Sequence, residues 1–366
     1  MPLPFQLNPA LRTLPVYQPG RPIEEVAREL GLPLGDIVKM ASNENPWGPS
    51  PAGLKALQQA ARQLHFYPDG NAFYLKQTLA ARLKVDPASL IFGNGSNELI
   101  EFIGHALLAP GDEVVVSQYC FAVYPIVTHL FGGRLVTVPA KKYGHDLAAM
   151  RAAITPRTKI IFVANPNNPT GTQAARAHVL RLVRAMPAQV LLVMDEAYID
   201  FPDQPVDLVP WIRKGQTPNL ILLRTFSKIY GLAGLRLGYG IGHPEFIAAL
   251  EKIRQPFNTN SLAQAAARAA LDDTVHYQRS KTNNAAGLKF FGAGFQRLKL
   301  EYVPSAANFI MVRVGDGQRV FNELQKRGII VRPMSVYQLP EWVRITVGTP
   351  AENARCLAAM TAVLGS

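Results

Sequence analysis

The 366-residue sequence has only two cysteines, Cys120 and Cys356, too few and too far apart for a disulfide framework or a cysteine-based zinc site. A reducing compartment is expected. Nowhere do about 18 apolar residues run together, and the opening M-P-L-P-F-Q-L-N-P has neither the basic leader nor the apolar core of a signal peptide. The reading is a non-membrane, unexported, cytoplasmic protein. Despite a formal charge of +12, lysine and arginine form no run longer than Lys141-Lys142, so no nucleic-acid-binding arm is visible. The positive field suits small acidic ligands instead. Internal repeats and low-complexity tracts are missing too. The loop G-N-G-S-N-E, Gly93 to Glu98, lacks both a Walker lysine and the third glycine of a dinucleotide-binding turn, for which Glu98 stands.

With 48% hydrophobic and 17% charged residues, the chain can bury a large core and exceeds the length at which single cores usually divide. An N-terminal arm with part of the small domain over 1–45, a large domain over 46–280 and a small C-terminal domain over 281–366 are expected. Apolar runs alternating with helical patterns, such as 146–154 and 175–186, predict an α/β fold. The expected architecture is a mostly parallel large-domain sheet with helices on both faces, plus a smaller α+β domain. A long helix opening near Asn258 is expected to close the large domain.

Three apolar runs end in polar residues. Lys159 to Ala164 opens into N-P-N-N-P-T-G (165–171), Val190 to Met194 into D-E-A-Y (195–198), and Leu220 to Leu223 is followed by Lys228. As buried parallel strands, they would deliver Asn168, Asp195, Tyr198 and Lys228 to the carboxyl edge of one sheet, where open α/β sheets bind ligands. Singly, these read as a turn residue, a helix cap, a core aromatic and a solvated lysine. Jointly, they match what pyridoxal phosphate needs: a lysine for its aldehyde, a carboxylate for its ring nitrogen and donors for its phenolic oxygen. Strand, glycine loop and helix at Leu90 to Leu108 form a phosphate cradle, and Arg236 adds a cation that pairs with phosphate.

In that order, N-P-N-N-P-T-G, D-E-A-Y and S-K-x-x-x-L-A-G-L-R-x-G resemble the fold-type I aminotransferases of class I and II, and within them the histidinol-phosphate aminotransferases, over nearly the whole chain. The resemblance implies that Lys228 carries the cofactor and that Gly95, Ser96, Asn97, Thr225, Ser227 and Arg236 hold its phosphate. It further implies that Asn168 and Tyr198 hold its phenolic oxygen and that Asp195 holds its ring nitrogen. Phe121 would stack on the ring, with Tyr119 as the alternative. Tyr67, in the turn Y-P-D-G, would reach across a homodimer interface to the phosphate of the other subunit. Asn43 and Glu44 would line the substrate mouth, Arg344 would grip the substrate α-carboxylate, and Tyr17 and Arg332 would meet a substrate phosphate.

The implied reaction is transamination between histidinol phosphate and 2-oxoglutarate, in histidine biosynthesis. An aromatic amino-acid aminotransferase shares every catalytic residue and differs only at the phosphate-facing pair. A phosphothreonine-type decarboxylase and a non-catalytic regulator on the same fold are the remaining alternatives.

Overall fold

Residues 5–7, 9–12, 14, 16 and 20–365 are described by the structure, a computed structural model. A short strand, β1 (Val38–Lys39), precedes seven that form the central sheet: β2 (Leu90–Gly93), β3 (Glu113–Ser117), β4 (Arg134–Val138), β5 (Thr158–Ala164), β6 (Leu191–Asp195), β7 (Leu220–Thr225) and β8 (Gly238–Gly242). Their order is β2-β8-β7-β6-β5-β3-β4. Pairing is parallel from β7 through to β4, and β8 runs antiparallel to both β7 and β2.

The inner strands are apolar at nearly every position because both faces are covered. Ile160, Phe162, Leu191, Val193, Ile221 and Leu223 pack into one core. Their neighbours Ile161, Val163, Leu192, Met194, Leu220 and Leu222 pack into the other. This period of two is the pleat of the sheet, and each such side chain contributes roughly 1.5–3 kcal/mol on burial.

The rest of the chain builds a second, smaller sheet from β9 (Tyr302–Val303), β10 (Phe309–Arg313), β12 (Arg332–Pro333) and β13 (Trp342–Thr346), in the antiparallel order β12-β13-β10-β9. Between them, β11 (Ile329–Ile330) pairs in parallel with β1. The run from Ile329 to Pro333 therefore changes partners at Val331. The long helix expected from Asn258 is also two, Ser261–Leu271 and Thr274–Arg297. Its break has a local cause. Asn260 caps the first helix and Asp273 the second, each side chain accepting a backbone N–H of the first turn. The last helix, Pro350–Leu364, begins with a capping box formed by Thr349 and Glu352. Burial pushes both free cysteine thiols up to about 12, so neither is a nucleophile at neutral pH. No helix among the described residues is long and apolar enough to cross a membrane.

Candidate active site

Parallel pairing brings the carboxyl ends of β5, β6 and β7 level: Ala164 pairs with Asp195, and Asp195 with Leu223. Through β8 the same edge reaches β2, since Gly238 is the partner of both Thr225 and Gly93. Along this edge lies a cavity of ≈ 380 Å³. Its walls include Ser96, Asn97, Phe121, Asn168, Asp195, Tyr198, Thr225, Ser227, Lys228 and Arg236, together with Asn43, Glu44, Arg332 and Arg344.

At the β2 end, the helix that follows the glycine loop starts at Ser96, with Gly95 as its N-cap at φ 81°. The first backbone N–H groups and the positive end of the helix dipole thus sit at the cavity wall. A Cβ on Gly95 would fall on the Arg236 guanidinium, and one on Gly238 would strike the Ser96 nitrogen. Glycine is what lets loop, helix and arginine converge here. Arg236 itself adopts a left-handed φ of 54°, turning out of the short helix Ala233–Leu235 toward that cradle. Nearby, Thr225 Oγ1 accepts the Ser227 N–H at 3.0 Å, which fixes the turn leading to Lys228.

Asp195 is buried, and that burial raises its pKa. Opposing this, Tyr124 Oη donates to Oδ2 at 2.7 Å and the Ala197 N–H to Oδ1 at 3.1 Å. Tyr124 is the donor because burial, and then Asp195 itself, hold its phenol far above its ordinary pKa. Lys228 Nζ lies 3.5 Å from the Ser42 carbonyl oxygen and 5.6 Å from the centre of the Tyr198 ring.

The small sheet supplies the opposite wall. Arg344 donates from Nη1 to Asn168 Oδ1 at 2.6 Å and from Nη2 to the Ala41 carbonyl at 3.0 Å. Asn43 donates from Nδ2 to Tyr198 Oη at 2.9 Å, and its backbone N–H reaches Thr346 Oγ1 at 3.0 Å. Glu44 is paired with Lys39 at 2.9 Å. Arg332 and Arg344 are direct partners across β12 and β13. Phe121 lines the cavity, whereas Tyr119 packs against Tyr143 at 6.0 Å. Tyr67 is not among the lining residues: it is 82% exposed, stacked on Phe257 at 4.8 Å. Tyr17 lies outside the described residues.

Residues 35–360 match the family model for aminotransferase class I and II. The chain belongs to that family. Among curated aminotransferases it is 49% identical to histidinol-phosphate aminotransferase 1 of Thiobacillus denitrificans over 98% of this chain and 93% of that one. It is 51% identical to histidinol-phosphate aminotransferase 2 of Ralstonia nicotianae, over 97% and 96%. Among solved structures, the histidinol-phosphate aminotransferase of Sinorhizobium meliloti in complex with pyridoxal-5'-phosphate superposes with a TM-score of 0.89 at 32% identity, covering 98% of both chains.

Three residues of this aminotransferase site escaped the sequence reading. Tyr124, the donor to Asp195, stands one helical turn after Phe121, a spacing that could have flagged it. Ser42 contributes only its carbonyl, which no side-chain pattern can reveal. Tyr337 lines the cavity from the segment between the two arginines.

Proposed function

We propose that the chain is a pyridoxal phosphate-dependent transaminase acting on L-histidinol phosphate and 2-oxoglutarate in histidine biosynthesis, in the cytoplasm. The carrying observation is the cross-strand pair of Arg332 and Arg344 in the cavity that holds Lys228. Like charges directly opposite one another destabilise a sheet, so their place here is explained by a substrate that brings negative charge. The names and identities of the curated relatives support the same substrate.

The donor set fits the cofactor: an anion cradle at Ser96 with Arg236, a buried carboxylate at Asp195, a phenol at Tyr198, an aromatic face at Phe121 and an amine at Lys228. When bound, pyridoxal phosphate supplies the electron-withdrawing ring that acidifies the substrate Cα–H. In this reading Gly95, Ser96, Asn97, Thr225, Ser227 and Arg236 hold the phosphate, Asn168 and Tyr198 the phenolic oxygen, and Asp195 the ring nitrogen. Lys228 would carry the cofactor and, once freed by the substrate amine, would take the proton from the substrate Cα as general base and deliver it to the cofactor's C4′ as general acid. Arg344 positions the α-carboxylate and Arg332 the substrate phosphate, with Asn43 and Glu44 at the mouth.

The working unit is a homodimer in which Tyr67 of one chain reaches the cofactor phosphate of the other. Its support is that Phe66, Tyr67, Phe73, Tyr74 and Phe257 are all exposed, with Tyr67 stacked on Phe257 and Phe73 edge-on to Tyr74. Each chain divides into an arm and part of the small domain over 1–45, a large domain over 46–280 and the small C-terminal domain over 281–366. In support, the central sheet lies within 90–242 and the small antiparallel sheet within 302–346.

Arg332→Ala tests the substrate. Losing a charge-assisted hydrogen bond to phosphate should lower kcat/KM for histidinol phosphate about ten- to a hundred-fold more than for phenylalanine. Equal losses would favour an aromatic amino-acid aminotransferase.

A further inference from the structure

A carboxylate in the first turn of an anion-binding helix opposes its ligand's charge, and Glu98 is such a carboxylate, at the third position of the helix Ser96–Leu107. An acid at that position commonly reaches back to cap its own helix. Glu98 reaches further. Its Oε2 accepts the Asn94 N–H at 2.6 Å, one residue before the N-cap Gly95, which has no side chain with which to cap the helix itself. The same oxygen accepts from Asn258 Nδ2 at 2.6 Å, across 160 positions of chain.

Asn258 is held in the orientation that this requires. Arg254 donates from Nη1 to its Oδ1 at 2.9 Å, and a guanidinium only donates, so Nδ2 is the atom that faces Glu98. Arg254 is fixed in turn by Glu251, which accepts from its Nε at 2.6 Å and pairs with Lys76 at 3.3 Å. Asn258 Nδ2 also donates to the carbonyl of Phe92, in β2, at 3.2 Å. One amide therefore ties the end of β2 to the first turn of the helix, across the glycine loop between them. That loop has little slack: a Cβ on Gly93 would lie 3.0 Å from the Gly95 carbonyl oxygen.

We propose that Glu98 and Asn258 are positioning residues for the cofactor phosphate: Asn258 clamps the Glu98 carboxylate, which holds the Asn94 amide and so fixes the angle at which the first N–H groups of the helix meet the anion. The inference rests on the reading that Gly95, Ser96 and Asn97, with Arg236, hold that phosphate. Neither Glu98 nor Asn258 is among the residues lining the main cavity, so both act through the loop. Because a single oxygen accepts both hydrogen bonds, Glu98 supplies geometry rather than charge, and an amide oxygen in its place would serve.

The test measures dissociation constants for pyridoxal phosphate and for pyridoxal, which lacks the phosphate, by equilibrium dialysis against the full chain freed of cofactor. Glu98→Ala and Asn258→Ala should each weaken pyridoxal phosphate about ten-fold and leave pyridoxal within about two-fold. The double variant should be little weaker than Glu98→Ala alone, since the two residues act through one contact, and Glu98→Gln should recover most of the loss. A general loosening of the fold would weaken both ligands alike. That result overturns the proposal, as do unchanged constants in both single variants, fully additive losses in the double variant, or a glutamine no better than alanine. Arg236→Ala, assayed in the same way, tests the underlying reading separately. A loss confined to pyridoxal phosphate upholds the cradle even where the Glu98 variants fail, whereas equal losses for both ligands reject the cradle and the proposal with it.

Discussion

Tyr124 and Asp195 form a buried pair in which a phenol that keeps its proton supports a carboxylate that burial works against. Removing the hydroxyl takes away a stabilising contact of the charged form, so Asp195 should hold its proton to higher pH. In Tyr124→Phe, kcat should fall about ten-fold, with KM little changed. The acid limb of the kcat profile should move toward higher pH, whereas a purely structural role for Tyr124 would leave it in place. Lys228 carries a covalent prediction. Borohydride reduction of the holoenzyme should fix the cofactor to the peptide containing Lys228, and Lys228→Ala should abolish turnover. A label on any other lysine would reject the assignment.

At the scale of elements, β3 begins with a carboxylate that never meets water. Glu113 is 0% exposed, lying beneath Arg134 and Arg157, and it accepts from both, from Arg157 Nε at 2.9 Å, and from Thr155 Oγ1 at 2.7 Å. These donors, Arg134 foremost, lower its pKa from an ordinary 4.5 to about 2. A depressed carboxylate stabilises the fold fully above its unfolded value, and that contribution fades as pH falls toward the folded one. Glu113→Gln should therefore be less stable than the parent at pH 7, and the difference in urea midpoint should shrink between about pH 4.5 and 2. A constant difference would show that packing, not charge, holds the site.

Much of this architecture was readable because the physics is local. A strand buried on both faces is an apolar run, so β5, β6 and β7 announced themselves, and their chemistry followed each run within a few residues. What stayed hidden was made by contacts between distant segments. The partner change at Val331 depends on β1, some 290 residues earlier, and the break at Asp272-Asp273 follows from a cap that competes with a continuous helical pattern. The resemblance gave Arg344 a substrate carboxylate to grip, yet its hydrogen bonds to Asn168 and the Ala41 carbonyl arise only when the two sheets meet.

For the molecule as a whole, the exposed Tyr67 makes subunit exchange informative. Mixing Tyr67→Phe with Lys228→Ala chains should form hybrid dimers with one site intact, provided that each site draws Tyr67 from one chain and Lys228 from the other. Activity should then return on mixing, with hybrids verified by mass and Tyr67→Phe alone shown to be impaired. No recovery would place both residues of a site on the same chain. The contacts of Asn43 and Ala41 with Thr346 and Arg344 carry a different consequence, since they join positions 303 residues apart. On a ribosome, the central sheet and Lys228 emerge long before β13 does. A nascent chain stalled ahead of Arg344 would thus already carry Ser96, Asp195, Lys228 and Arg236 while still lacking the arginine that faces them across the cavity.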